Sequence, residues 1–414
     1  MIDARRRAPS KAPDAGAAVT DASAVSDSSR RDAAAGVECH YAGYGGCDPS
    51  SCIPGVECCP GGSGGTGTLR LSPALQLASS TPLPGNPSVS NVVITWNGTG
   101  YGAVSAQPAA GTVEFLAFDR SGGLIGPSTP LASGAGGSVA SVGLAPLADG
   151  FLAVWTDGAT TSAERVTTNG GPAGAAFKLA DSALAGVGVA SSGTTVLVSA
   201  SDSGAPPALG TVGGPPVTPL SGLPVGRGGS GSVLWAGDRY ALALVVPQPE
   251  RTVFNYPCAL AEISETGAIL NQGTFPGGGT CGATTAHARV ALQRNNYSVA
   301  WAAKCRATSL WFIGQIGFGF QGSATWASSD PLAHPEYSVA PDPLPDFDGY
   351  GYNAILNGSA LRFGPTALRS EYPLPLDTGS TYTGLVAAGP HYFAAVGGSA
   401  TSPTSLQRFL YCPP

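Results

Sequence analysis

The side chains best suited to chemistry lie in Asp342-Pro-Leu-Pro-Asp-Phe-Asp-Gly349. Asp342, Asp346 and Asp348 alternate along a segment that its prolines and glycine bend, with Asp330 upstream. Carboxylates converging from a tight turn suit a hard cation such as calcium. The Glu that closes a twelve-residue calcium loop is absent, and a plain Pro/Asp/Gly turn between strands is the alternative. No cofactor other than calcium is expected. Aromatic residues crowd the same region, and Trp311, Trp326, Tyr350 and Tyr352 are the candidate ligand-binding residues. Flat rings give contact area to a sugar or peptide at low entropic loss, and the bulky core of a large blade, which explains most of them, is the alternative. His40, His287, His334 and His391 are scattered without His-Glu-x-x-His spacing. No Ser/His/Asp arrangement can be assembled, and no pair of carboxylates stands out as a glycosidase dyad. Catalytic residues are therefore not assigned. Asn97, Asn296 and Asn357 head glycosylation sequons.

Cysteine is the other reactive type. Cys39, Cys47, Cys52, Cys58 and Cys59 crowd a segment rich in Gly, Pro and Asp, with Gly-Val-Glu-Cys occurring twice. So little apolar residue is present that disulfides would have to hold it. Zinc is the alternative, but no Cys-x-x-Cys pair is present. Cys258, Cys281, Cys305 and Cys412 follow at long intervals. Two pairings are expected: Cys58 or Cys59 with Cys412, and Cys281 with Cys305. Nine cysteines leave at least one unpaired within the chain.

These residues must be positioned by short β-elements. A hairpin pattern organises the chain: an apolar run, a tight turn, then an aromatic leading into small and β-branched residues. Asp149-Gly-Phe-Leu-Ala-Val-Trp-Thr-Asp-Gly158 shows it most clearly. The anchors are Tyr101, Phe151, Thr195 as a stand-in, Tyr240, Tyr297, Tyr350 and Tyr392, spaced 42 to 57 residues apart. A second hairpin often follows, as at Asp119-Arg-Ser-Gly-Gly123 and Thr168-Asn-Gly-Gly171. Each unit then holds about four strands, the size of a propeller blade, and blades bury their faces only on each other. The expected fold is all-β, a β-propeller of about seven four-stranded blades. The last unit has room for three strands, so residues 69–78 are expected to supply its fourth and close the ring. A β-sandwich pair or another all-β solenoid is the alternative.

The chain has 414 residues, only 11% of them charged, with 60 glycines and 36 prolines and a net charge of −6. That composition suits a turn-dense all-β protein and excludes a basic nucleic-acid surface. No apolar run is long enough to span a membrane as a helix. Residues 1–36 read as a disordered Ala/Asp/Ser-rich spacer, 37–66 as the Cys-rich module with a Gly linker, and 67–414 as the propeller. Cysteine usage implies an oxidising compartment, yet Met1-Ile-Asp-Ala-Arg-Arg-Arg7 has no signal-peptide core. The expectation is an extracellular or cell-envelope protein whose signal or lipid anchor lies upstream of Met1. A cytosolic protein with reduced thiols is the alternative.

With Asp14-Ala-Gly16, Gly150-Phe-Leu-Ala-Val-Trp155 and Asn296-Tyr-Ser-Val-Ala-Trp301, the sequence resembles secreted or lipoprotein-anchored propeller repeat proteins of bacteria, especially myxobacterial ones. The resemblance covers roughly residues 69–412 and lacks the WD-repeat and kelch signatures. It implies an exported, surface-associated protein and carries over no catalytic residue. The expected function is a monomeric, non-catalytic binding or scaffold propeller, with a glycan or protein ligand on one face of the ring. A secreted polysaccharide hydrolase or lyase is the alternative, and fold alone does not separate the two.

Overall fold

A computed structural model describes the chain from residue 75 to 411, apart from 134–138, 140, 185, 201–204, 224–228, 231, 246–254, 279–282, 294–295, 306–310, 320–323, 333–345, 348–351, 357–358, 364–368, 374–380, 388–391 and 400. For most strands between 274 and 381 the backbone alone is described. Among the described residues the regular structure is β-strand, with a single 3-10 turn at Val89–Asn91.

The strands form seven sheets, six of four strands and one of five. Sheet I is β2 (Val92–Trp96), β3 (Tyr101–Gln107), β4 (Thr112–Phe118) and β5 (Thr129–Ala132). Sheet II is β6 (Ser141–Leu147), β7 (Gly150–Thr156), β8 (Thr161–Thr167) and β9 (Phe177–Ala180). Sheet III is β10 (Gly188–Ser191), β11 (Thr195–Ser199), β12 (Ala208–Thr211) and β13 (Thr218–Pro219). After β14 (Gly229–Ser230), sheet IV is β15 (Ser232–Trp235), β16 (Arg239–Val245), β17 (Asn255–Ser264) and β18 (Ile269–Gly278). Sheet V is β19 (Ala283–Gln293), β20 (Asn296–Cys305), β21 (Trp311–Gly319) and β22 (Ala324–Leu332), with β14 added in parallel to β19. Sheet VI is β23 (Asp346–Phe347), β24 (Tyr352–Leu356), β25 (Ser359–Phe363) and β26 (Arg369–Pro373). Sheet VII is β27 (Thr381–Ala387), β28 (Tyr392–Gly398), β29 (Ser405–Tyr411) and, beyond β29, β1 (Leu75–Pro82). Apart from β14, every pairing is antiparallel between sequence neighbours, save that β1 pairs with β29.

The fourth strand of sheet VII does come from the N-terminal side: its described part, Leu75–Pro82, overlaps the expected 69–78 at 75–78 and runs four residues further, and 69–74 lie outside the described residues. The strand does not end with the Gln-Leu-Ala run: a register irregularity between Leu77 and Ser79 lets Ser79–Pro82 pair onward. Residues 1–74, which carry the spacer, the Cys-rich module and five of the nine cysteines, lie outside the described residues.

Burial explains why the second strand of each hairpin is rich in small residues. All seven residues of β7 are buried, because a neighbouring sheet covers each face. Alternation then divides them. Phe151, Ala153 and Trp155 pack with Val104, Phe115 and Val113 of sheet I. Leu152 and Val154 pack with Val189, Val196 and Val198 of sheet III. The sheets meet closely where glycine allows it: a Cβ on Gly102 would lie 2.9 Å from the Phe151 ring. First strands touch in sequence: β2 with β6, β6 with β10, β10 with β15, β15 with β19, β19 with β23, β23 with β27, and β27 with β2.

Register corrects two anchors. Trp96 pairs with Tyr101 and Trp235 with Tyr240 across their turns. The corresponding pairs are Ser191 with Val196 and Phe347 with Tyr352. Val196 and Tyr352 therefore hold the anchor positions, not Thr195 and Tyr350. In sheet VII Phe393 is fully buried and stacks on Phe409, also fully buried, at 4.9 Å. A one-residue slip exchanges the two faces of a strand, so aromatic identity alone does not mark register.

Candidate functional site: the hairpin-turn end of the sheets

The first hairpins of sheets I and IV each bring an aromatic pair to the turn. Trp96 lies on Tyr101 with ring centroids 4.7 Å apart and a 53° tilt; Trp235 lies on Tyr240 at 4.7 Å and 59°. Tyr101 and Tyr240 are fully buried, whereas both indoles are half-buried at the turn. The spacing that generates the pair is visible as Trp-x4-Tyr at 96–101 and 235–240, and Phe-x4-Tyr at 347–352. The pairs also anchor sheet contacts: Trp235 packs against the cluster of Leu197, Leu223 and Tyr240.

Polar side chains at this end link one sheet to the next. Asn97 Oδ1 accepts from the N–H groups of Thr99 and Gly100 and from the Thr99 hydroxyl, and its Nδ2 donates to Gly150 O of sheet II at 3.3 Å. The Tyr240 hydroxyl shares a 2.8 Å hydrogen bond with Thr195 Oγ1 and accepts from Ser192 N, so sheet IV reaches back to sheet III. Burial raises its pKa against these bonds. In sheet V, burial and then the Glu262 charge of sheet IV hold the Tyr297 pKa well above the ordinary phenol value. Glu262 is only 2% exposed. It takes Arg239 Nη1 at 3.5 Å and Asn271 Nδ2 at 2.5 Å. Arg239 also pairs with Asp238 at 2.7 Å, and the Asp238 bond raises the guanidinium pKa further.

Ser192 is held against a carboxylate, donating to Glu265 Oε1 at 2.6 Å. Its Oγ also accepts from the N–H groups of Thr194 and Thr195, and the Thr194 hydroxyl takes the same Glu265 oxygen. A serine so occupied fastens its turn and has no free lone pair with which to attack. The two hydroxyls hold the Glu265 carboxyl below its ordinary value. A depressed folded-state pKa contributes stability that is present above the unfolded-state value and lost as pH falls through the folded one. Stability measured by denaturant titration is therefore expected to lose this contribution below about pH 4.3. Glu265→Gln should flatten that part of the profile, and a profile unchanged from the parent would refute the assignment.

The described residues among those singled out by chemistry lie in separate strands. Asp346 lies in β23, paired with Asn353, and so in a strand rather than in the turn expected of it. Asp342 and Asp348 lie outside the described residues, as does Tyr350. Trp311 opens β21 just after the β20–β21 connection, whereas Tyr352 opens β24 just after the β23–β24 hairpin; in antiparallel meanders those connections lie at opposite strand ends. Trp326 pairs with Gly317 inside sheet V. Cys258 sits in β17 opposite Val245 and Phe275, and Cys305 opposite Ala283. Cys281 lies outside the described residues, and Cys412 does too, directly after Tyr411, the partner of Leu75. Among the described residues no group of three or more His, Cys, Asp or Glu side chains is placed to hold a metal ion, and no helix is long and apolar enough to cross a membrane.

No protein-family model matches the chain, and no curated protein is similar to it. Solved structures do share its strand layout. The β-propeller domain of Cps50 (Swd1) from Myceliophteria thermophila is 11% identical, with 81% of this chain and 100% of that one covered, at a TM-score of 0.47. Hydrazine synthase of Kuenenia stuttgartiensis is 10% identical over 76% and 94%, at 0.48. The Dos1 propeller is 7% identical over 78% of each chain, at 0.45. Likeness at this level carries no argument about activity.

Proposed function

We propose that the seven sheets are the blades of one closed seven-bladed β-propeller, and that it is a binding or scaffold module outside the cell or on its surface. Closure is supported by a recurring hydrogen bond. Thr129 Oγ1 at the outer strand of sheet I donates to Gly170 O in the last turn of sheet II at 2.7 Å. Thr81 Oγ1 in β1 makes the same bond to Gly122 O of sheet I at 2.6 Å. The junction of sheets VII and I is thus built like that of sheets I and II. Thr81→Val and Thr129→Val should each cost about 0.5–1.5 kcal/mol. A silent Thr81→Val beside a costly Thr129→Val in chemical unfolding would argue for an open ring.

The observation that carries the binding reading is the repeated half-buried indole at the hairpin turns, Trp96 and Trp235, held on a frame whose polar groups bond to one another. Flat rings held on such a frame suit a glycan or a protein ligand, because little side-chain entropy is lost on contact. Calcium held by Asp342, Asp346 and Asp348 would order the sheet VI hairpin beside that face. The nine cysteines support an oxidising environment. The test is a glycan-array screen of the full chain with calcium and with EDTA, repeated for Trp96→Ala and Trp235→Ala. Binding that falls about tenfold or more in the variants supports the reading. EDTA sensitivity would add the calcium site. Release of cleaved product would replace the reading with a polysaccharide hydrolase or lyase.

A further inference from the structure

Three Asn-Gly dipeptides occur, at 97–98, 169–170 and 357–358. Such pairs can rearrange without a catalyst. The glycine backbone nitrogen attacks the asparagine Cγ, a new C–N bond closes a succinimide, the Cγ–Nδ2 bond breaks and ammonia leaves. Water then opens the ring to aspartate or to isoaspartate, in which the main chain runs through the side chain. No oxidant, reductant or enzyme is needed.

The structure treats the two described pairs differently. Asn97 Oδ1 accepts three hydrogen bonds and its Nδ2 donates to Gly150 O, so its amide cannot turn toward Gly98 without giving up all four. Asn169 is exposed and makes no side-chain hydrogen bond. Its turn is also the less constrained of two equivalents. In sheet I, Asp119 Oδ1 accepts from Ser121 N, Ser121 Oγ and Gly123 N, clamping the turn from within. In sheet II the matching residue is Thr167, which provides no such clamp, and only the main-chain bonds Thr167 N to Gly171 O and Gly170 N to Thr167 O remain. Gly170 N must leave that bond, 3.0 Å long, to attack.

We propose that Asn169 is a site of spontaneous succinimide and isoaspartate formation in the folded protein, and that Asn97 is protected. Position gives the modification a consequence. Gly170 has φ +89°, and its carbonyl accepts Thr129 Oγ1. An isoaspartyl linkage lengthens the main chain by one atom next to that carbonyl and adds a negative charge, loosening the contact between sheets I and II. The modification works as a clock on this junction.

The test is incubation of the folded full-length chain at mildly alkaline pH and 37 °C. Peptide mapping by mass spectrometry then follows conversion, with isoaspartate methyltransferase labelling to identify the product. Asn169 is expected to convert about tenfold or more faster than Asn97, because the Asn97 amide must first shed its hydrogen bonds. In urea the two should convert at similar rates, which assigns the difference to the fold. Gly170→Ala should slow conversion at 169, and Asn97→Gln should leave it unchanged. Equal rates in the folded chain, or an Asn169 peptide unchanged while the unfolded chain converts, would overturn the proposal.

Discussion

Phe151→Ala is expected to lower the unfolding free energy by about 3–5 kcal/mol, among the largest effects of a single substitution in this chain. Phe151 is completely buried in β7, and its ring lies 5.4 Å from that of Phe115 in sheet I. Truncation removes the transfer free energy of the ring and leaves a cavity that stiff sheets on both sides cannot collapse. Gly102 provides the diagnostic partner. A Cβ there would lie 2.9 Å from two atoms of the Phe151 ring and 3.0 Å from Phe115. Gly102→Ala alone should therefore destabilise by overpacking, by about 1–3 kcal/mol. In the Phe151→Ala background the added methyl enters vacated space and should be neutral or stabilising. A double-mutant cycle by denaturant unfolding measures the coupling. Additive effects would mean that sheets I and II do not meet through this ring.

Removal of residues 1–82 is expected to make the chain self-associate. Without β1, the edge of β29 presents the backbone groups of Ser405–Tyr411, all of which are paired in the full chain. Open edges of this length recruit strands from other molecules. The segment after β1 stays tied to sheet VII through Leu83 N to Thr404 O, Thr404 Oγ1 to Pro87 O and Thr383 Oγ1 to Val89 O. The sheet itself should persist while its edge stays reactive. Size-exclusion chromatography with light scattering reads the oligomer, and a peptide spanning 75–82 added in trans should restore the monomer by strand addition. A truncated chain that is monomeric with unchanged thermal stability would show that β1 is dispensable.

Much of this arrangement is legible in the residues themselves. Period-two alternation and turn chemistry identify the strands: Val92–Trp96 before Asn97-Gly98, Ser232–Trp235 before Gly237, and Glu164–Thr167 before Asn169-Gly170. The small residues of β3 and β7 announce strands covered on both faces, since only side chains of that size let two sheets approach. The shortfall of one strand in the last unit pointed to an N-terminal contribution, because an open edge must be covered. These are local or counting properties, set by the pleat and by conformational preferences of turns.

What the residues left open depends on contacts between distant segments. Register across each turn decided that Val196 and Tyr352, not Thr195 and Tyr350, take the anchor positions. The choice rests on which face the neighbouring sheet covers. Asp346 belongs to a strand because Asn353 pairs with it, a partner seven residues away that no turn rule identifies. The links that fasten one sheet to the next join residues 41 to 73 apart, as in Thr129 to Gly170 and Ser192 to Glu265. Hydroxyls and a lone Glu in a turn look the same in sequence whether they face solvent or a neighbour. The sequence alone determined the repeating β-hairpins and the need to cover their faces. Only the tertiary structure decided which polar groups are spent on joining the sheets, because that depends on the distance between chain segments the sequence does not place.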